Sequence, residues 1–233
     1  MKRGASHVEF IISSIMFISF VTFILFLFNI QEKSNPAEFL SENIFNSLKE
    51  NSSVNVEYYY VSIDLTAVNN KPSIQVSLNS MPINNFVRVE NYSGAVLPSK
   101  LDGNNIKIEH LDNNLIIIML SEDFLPFSGN VNSDFSNSGY SIISSNSERI
   151  ISEKRILKIE DLYYLDYVSL KKNSFKLLGN LDFLFKLEFF PSNFIEAKMN
   201  IPEGVDIFSL NERIFVLRSD GTRASADMEV KVW

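Results

Sequence analysis

The chain has 233 residues and no cysteine, which excludes disulfide bonds and thiolate chemistry. Apolar side chains make up 45% of it and aromatic ones 12%, enough for a buried core, so a disordered chain is excluded too. The net charge of −7 argues against nucleic acid as a partner, because nucleic-acid binding requires a basic face.

The amino-terminal stretch from Phe10 to Ile30 contains no charged residue and is dominated by Phe, Ile, Leu and Val. Because about 20 apolar residues in a helix span a bilayer, we predict a transmembrane helix over 5–31, in contact with membrane lipid. The run is longer than the apolar region of a cleaved secretory signal, which favours retention of the helix. Lys2 and Arg3 precede it, so the amino terminus is expected in the cytoplasm and the rest of this single-pass protein outside the cell.

A short leader comes before the apolar run. Lys2 and Arg3 are followed by Gly4 and Ala5, and Glu9 is the fifth residue when Ala5 is counted as the first. This pattern resembles the class III signal peptide (type IV prepilin leader) in its archaeal form, and the likeness is limited to about residues 2–30.

The resemblance to type IV pilins and archaellins carries several implications. Prepilin peptidase would remove residues 1–4 by cutting after Gly4, which leaves Ala5 as the amino terminus. The carboxylate that matches Glu9 would meet this new amino group on a neighbouring subunit as the helices bundle. Other pilin-like subunits, an assembly ATPase and a platform protein are the implied partners. The alternative for Glu9 is a carboxylate stabilised only by the helix dipole and headgroup water.

A short amphipathic helix is predicted over 34–50. Asn35 is the expected cap, Pro36 suits the first helical position, and Ile44 and Leu48 belong to one apolar face. Because proline lacks the amide hydrogen, a continuous rod from the first helix should break near Pro36.

An antiparallel, β-sandwich-like domain is predicted over 54–153, because apolar residues alternate from Val54 to about Phe124. The alternation changes phase between Tyr60 and Val61, which predicts a β-bulge. The Ser/Asn-rich residues 126–149 are predicted to be a loop, either within one domain or between two. Within and after this stretch, Tyr140 to Ile143 and Ile150-Ile151 are predicted to form a hairpin that completes the first sheet.

A smaller helix-plus-antiparallel-sheet domain is predicted over 155–233. Its helix should occupy 159–178 and end at Gly179, and strands should follow at 181–190, 213–219 and 222–233. Asp220-Gly221 is a strong hairpin signal between the last two strands. The expected fold class is therefore α+β, mainly antiparallel β.

No catalytic residue, metal site or cofactor is predicted, and the chain is not expected to be an enzyme. His110 lies in an ordinary strand-and-turn sequence, and no cluster of residues has metal-ligand spacing. The acid pairs Glu122-Asp123 and Glu160-Asp161 are interpreted as solvated ends of elements.

Two weaker signals concern surface chemistry. Asn51 and Asn91 fit the N-glycosylation pattern, although the many Asn, Ser and Thr residues produce such matches by chance. The Tyr58-Tyr59-Tyr60 and Tyr163-Tyr164 runs are interpreted as packing residues in preference to sugar-stacking ones.

The preferred function is a membrane-anchored, cell-surface type IV pilin-like subunit, minor and not abundant, which is assembled through its N-terminal helix. The alternative is a single-pass, membrane-anchored surface binding or adhesion protein that does not assemble. A membrane-tethered hydrolase is a third class, which no pattern of acidic residues favours.

Overall fold

A computed structural model describes residues 3–31, 36–68, 70–78, 86–126, 129–177, 181–191 and 193–233, with side chains except at 3–8, 26–31 and 36–38. The helical elements are α1 Arg3–Gln31, α2 Pro36–Ser52, α3 Glu153–Leu165, α4 Tyr167–Ser169 and a π-helical turn, Leu170–Ser174. The strands are β1 Ser53–Ile63, β2 Ser73–Ser77, β3 Phe86–Asn91, β4 Ser99–Asp102, β5 Asn105–Glu109, β6 Leu115–Ser121, β7 Phe135–Ser136, β8 Tyr140–Ser152, β9 Phe183–Phe189, β10 Asn193–Ala197, β11 Phe208–Leu217 and β12 Arg223–Val232.

The predicted α+β class is wrong, because the chain is mostly β, with 43% strand against 26% helix. We call the part of the chain after α1 the head. Its curled eight-stranded sheet, in the order β10-β9-β12-β11-β8-β1-β6-β3, contains strands from both predicted regions, 54–153 and 155–233. Two pairs of a parallel ladder, Val216 with Ile151 and Leu217 with Ser152, join its halves. The separate smaller sheet predicted within 155–233 is therefore wrong, because its strands continue the sheet formed by β1, β3, β6 and β8. That residues 54–153 and 155–233 form two separate domains stays a prediction.

The prediction of a transmembrane helix is also wrong. No helix in the part of the chain with described side chains is long and apolar enough to cross a membrane. Over Glu9–Leu25, the part of α1 whose side chains are described, the helix includes the carboxylate of Glu9 and is not an apolar span.

Two buried clusters hold the layers together. A four-stranded sheet in the order β4-β5-β2-β7 packs on one face of β1, β3 and β6 through aliphatic side chains. On the other half of the large sheet, α2 and α3 cover β9, β11 and β12. This second cluster includes Ile44, Phe45, Leu48, Ile156, Ile159, Phe183, Phe185 and Leu187. The apolar face predicted for α2 is confirmed, and α2 begins at Pro36; Asn35 lies outside the described residues.

The predicted loop over 126–149 is wrong in its second part. Tyr140–Ser152 is the 13-residue strand β8, which pairs antiparallel along β1. Serine and asparagine are weak strand formers, but β1 supplies a continuous partner for the backbone of β8. The register of this pairing shifts between Tyr60 and Val61, which confirms the predicted bulge.

The helix predicted over 159–178 begins earlier, at Glu153, and stops at Leu165. Asp166 leaves the helical conformation with φ −150° and ψ 65°, and its side chain accepts a hydrogen bond from the Ser169 amide at 3.1 Å. A new helical turn therefore starts there. The predicted stop, Gly179, lies outside the described residues.

The hairpin predicted at Asp220-Gly221 is confirmed between β11 and β12. Gly221 has φ +85°, a backbone conformation that favours glycine, and the side chain of Arg88 packs against it. Strand β10 was missed.

Candidate functional site

The surface of α1 is the most unusual feature of the chain. Apolar side chains from Phe10 to Leu25 are exposed, except the half-buried Ile24; Phe10, for example, is 74% exposed. A helix that is apolar on nearly all sides is normally buried against other helices or lipid. Within this part of the chain, α1 therefore presents an apolar surface that the head does not cover.

The predicted processing residues lie at the start of this helix. The backbones of Arg3, Gly4 and Ala5 belong to α1, whereas Lys2 lies outside the described residues. Glu9 is the first residue with a described side chain, and it is exposed. The cleavage at Gly4-Ala5 and the assembly role of Glu9 stay predictions.

Helix α2, which follows α1 in sequence, is held on the sheet of the head. Lys49 Nζ lies 2.7 Å from a carboxylate oxygen of Glu212 on β11, and it lies 4.6 Å from the centre of the Phe45 ring. The buried face of α2 packs on β11 and β12, the last strands of the chain. The helix that follows α1 in sequence is thus part of the folded head.

His110 has a structural role. It is buried, and its Nδ1 accepts a hydrogen bond from the Asp112 amide at 3.2 Å. Its Nε2 therefore carries the proton and donates to the carbonyl oxygen of Lys71 at 2.8 Å. Both ring nitrogens are engaged by backbone, and neither is aimed at a nucleophile.

The interpretation of Glu122-Asp123 as a solvated end is wrong for Asp123, whereas Glu122 is exposed. Asp123 is buried, and Arg155 Nε donates to it at 2.8 Å. Arg155 also contacts Glu122 and donates to the Ser53 carbonyl at 2.6 Å. Arg155, Glu122 and Asp123, which we call the charged node, therefore connect α3 to β1 and to the end of β6. Sequence reasoning missed this node because no short-range pattern links Arg155 to Asp123.

The other acid pair, Glu160-Asp161, lies on α3. Burial raises the pKa of Glu160, and the neighbouring charge of Asp161 adds to the increase. In the described residues, no group of three or more His, Cys, Asp or Glu side chains has a geometry that could hold a metal ion.

In each run of tyrosines, some side chains are buried and others are more exposed. Tyr163 is buried, and its hydroxyl donates to the Phe183 carbonyl at 2.5 Å; burial raises its pKa. Tyr164 is exposed, although its hydroxyl donates to Glu196 O at 3.0 Å. The packing interpretation therefore holds for Tyr163 and for the buried Tyr58.

The amide groups of the two glycosylation patterns are already hydrogen bonded. Nδ2 of Asn51 donates to the Ser174 carbonyl at 3.3 Å, and Nδ2 of Asn91 donates to Asn113 Oδ1 at 3.2 Å. The side-chain oxygen of Asn91 also accepts from the amides of Ser93 and Ala95. Modification at Asn51 or Asn91 stays a prediction.

Comparison with known proteins found no matching family model, no matching curated protein and no matching solved structure.

Proposed function

We propose that this chain is a type IV pilin-like cell-surface subunit, which prepilin peptidase processes between Gly4 and Ala5 and which assembles through α1. The exposed apolar surface of α1 carries this proposal. Each square ångström of apolar surface removed from water stabilises the buried state by about 25 cal/mol, so α1 has a strong drive to pack against other apolar surfaces. The helices of other pilin-like subunits would cover this surface after assembly.

The position of Glu9 supports the same proposal. An exposed carboxylate near the start of an apolar helix is costly in a helix bundle unless a positive charge meets it. Cleavage after Gly4 creates such a charge at Ala5, which on a neighbouring subunit would pair with Glu9. The assembly ATPase and the platform protein would supply the energy and the membrane base for this step.

The organisation of the head is compatible with a role for α1 outside the head. The buried clusters of the head are built from α2 and the elements that follow it, and none of the side chains described for α1, Glu9 to Leu25, belongs to them. The size of this head favours a minor subunit over an abundant repeating one. The alternative, a surface binding protein that does not assemble, would use α1 only for attachment to the membrane.

The variant Glu9→Ala tests assembly. Loss of a paired charge inside a helix bundle costs at least about 1.4 kcal/mol, so the fraction of the chain recovered in sheared surface filaments should fall about tenfold or more. The amount in the membrane fraction should not change. Glu42→Ala, an exposed glutamate on α2, is the matched control and should assemble as the unmodified chain does.

Equal recovery of Glu9→Ala and Glu42→Ala in filaments would contradict the role of Glu9. Absence of the unmodified chain from the filament fraction, with full recovery in membranes, would favour the binding protein.

A further inference from the structure

A cavity of about 460 Å³ lies on the face of the large sheet that the four-stranded sheet leaves uncovered. Its floor is formed by Tyr58 and Tyr60 of β1 and by Ile117 and Met119 of β6. These pairs lie directly opposite each other in the ladder, Tyr58 with Met119 and Tyr60 with Ile117. Because strand side chains alternate, the four project on one side, and Tyr59 projects on the other. We call this the tyrosine cavity.

The rim of the tyrosine cavity is charged, but its charges cancel. Arg88 Nε on β3 donates to Glu90 Oε1 at 2.7 Å, and both residues line the cavity. Arg223, at the start of β12, contacts Glu148 and the Tyr58 hydroxyl, with its guanidinium carbon 5.2 Å from the Tyr58 ring centre. Each arginine is thus paired with one carboxylate. An acidic ligand would have to break these pairs, so the rim fits a neutral ligand.

The turn between β11 and β12 fixes one side of the cavity. Arg88 donates to the carbonyl of Asp220, and the Leu125 amide donates to the Ser219 carbonyl at 3.0 Å. Asp220 Oδ1 accepts from the amide of Thr222 at 2.8 Å, which holds the turn. Burial alone would raise the pKa of Asp220, but the hydrogen bonds from Thr222 outweigh it and lower the pKa. Contacts within the protein therefore hold this side of the cavity in place without a ligand.

The floor still has an open hydrogen-bonding group. Tyr60 is half-buried, and its hydroxyl has no hydrogen bond to any described residue. On the same face, Ser144 and Asn146 of β8 lie opposite Tyr60 and Tyr58 and are exposed. An aromatic and aliphatic floor, surrounded by adjacent donors and acceptors, is the usual composition of a small-ligand site.

We propose that the tyrosine cavity binds a neutral saccharide. A sugar ring has an apolar face of C–H groups, which fits against Tyr60 and Ile117. Its edge carries hydroxyls that both donate and accept, which fits the Arg88–Glu90 pair and the Tyr60 hydroxyl. The site uses no residue of α1, so it is independent of the proposed assembly, and either proposal can fail alone.

The test is binding of the full-length chain, in detergent micelles, to an array of neutral hexose and N-acetylhexosamine oligosaccharides with sulfated and sialylated counterparts. We expect retention on neutral probes. Tyr60→Ala should weaken it about tenfold, because the variant removes the aromatic ring on which the apolar face of the sugar packs. Tyr92→Ala is the matched control, since Tyr92 is 81% exposed and outside the cavity, and it should bind as the unmodified chain does.

A second variant covers the case in which Tyr60→Ala fails to fold. Gly94 lines the cavity with φ +82°, and a Cβ atom there would meet nothing within 4 Å. Asparagine tolerates this conformation, so Gly94→Asn should narrow the cavity without disturbing the floor and should reduce binding about tenfold. No retention of any neutral probe, retention of acidic probes only, or equal binding by the folded variants and the unmodified chain would overturn the proposal.

Discussion

Helices α1 and α2 contain the same kinds of apolar residue and have opposite environments. Phe17 in α1 is 68% exposed, whereas Phe45 in α2 is 1% exposed. In α2, Ile44, Phe45 and Leu48 lie on one face, and the sheet beneath covers that face. In α1 they occur on nearly all sides, so packing on one surface of the head would leave most of them uncovered. The comparison teaches that the angular spread of apolar residues, and not their number, decides whether a helix joins its own core.

The largest expected effect comes from making the same substitution, Phe to Ala, in each of the two helices. Phe45→Ala should lower the free energy of unfolding of the head by about 3–5 kcal/mol, because it leaves a cavity in a packed core. Phe17→Ala should change it by less than about 0.5 kcal/mol, since the Phe17 side chain is exposed and belongs to no buried cluster. Urea unfolding followed by fluorescence of Trp233, the only tryptophan, measures both. Similar losses for the two variants would mean that α1 is part of the head's core.

A smaller effect is expected at the charged node of the head, which has no counterpart in the described side chains of α1. Arg155→Ala should cost about 1.5–3 kcal/mol, because it leaves Asp123 buried without its main hydrogen-bond donor. Arg213→Ala is the control: Arg213 pairs with Asp227 in solvent, and its removal should leave the urea midpoint almost unchanged. Equal midpoints for the two variants would show that the node does not stabilise the head.

The smallest expected effect concerns the edge of the large sheet at strand β10. A side chain of the head covers this edge, whereas the head leaves the surface of α1 uncovered. The Tyr164 hydroxyl donates to Glu196 O and accepts from the Lys198 amide at 3.1 Å, beside the edge strand β10. Tyr164→Phe should cost about 0.5–1.5 kcal/mol and expose that edge to pairing with other chains. Tyr92→Phe should have no effect on stability or on light scattering. If both variants scatter equally, the hydroxyl does not protect the edge.

Sequence patterns located the features that depend on neighbouring residues. The start of α2 at Pro36, the bulge after Tyr60 and the hairpin at Asp220-Gly221 each follow from local backbone chemistry. The joining of both head regions into one sheet could not be predicted, because it depends on the short contact of β8 with β11. The predicted hairpin of 140–143 and 150–151 is one continuous strand, β8, for a related reason: the Ser and Asn residues between them become a strand only where β1 provides backbone partners.

The candidate sites show the same division. The leader and Glu9 are contiguous motifs, so a single sequence is enough to propose them. The tyrosine cavity brings together β1, β3, β6 and the turn before β12, and no spacing in the sequence relates Arg88 to Arg223. Sites of this kind become visible only when the curl of the sheet is known.

The proposed processing is tested most directly by the intact mass of the chain recovered from cells with and without prepilin peptidase. With the peptidase, the mass should match a chain that begins at Ala5, and without it the mass should include the first four residues. A chain that keeps Met1 to Gly4 in both strains would contradict the proposed use of α1 as a processed assembly helix.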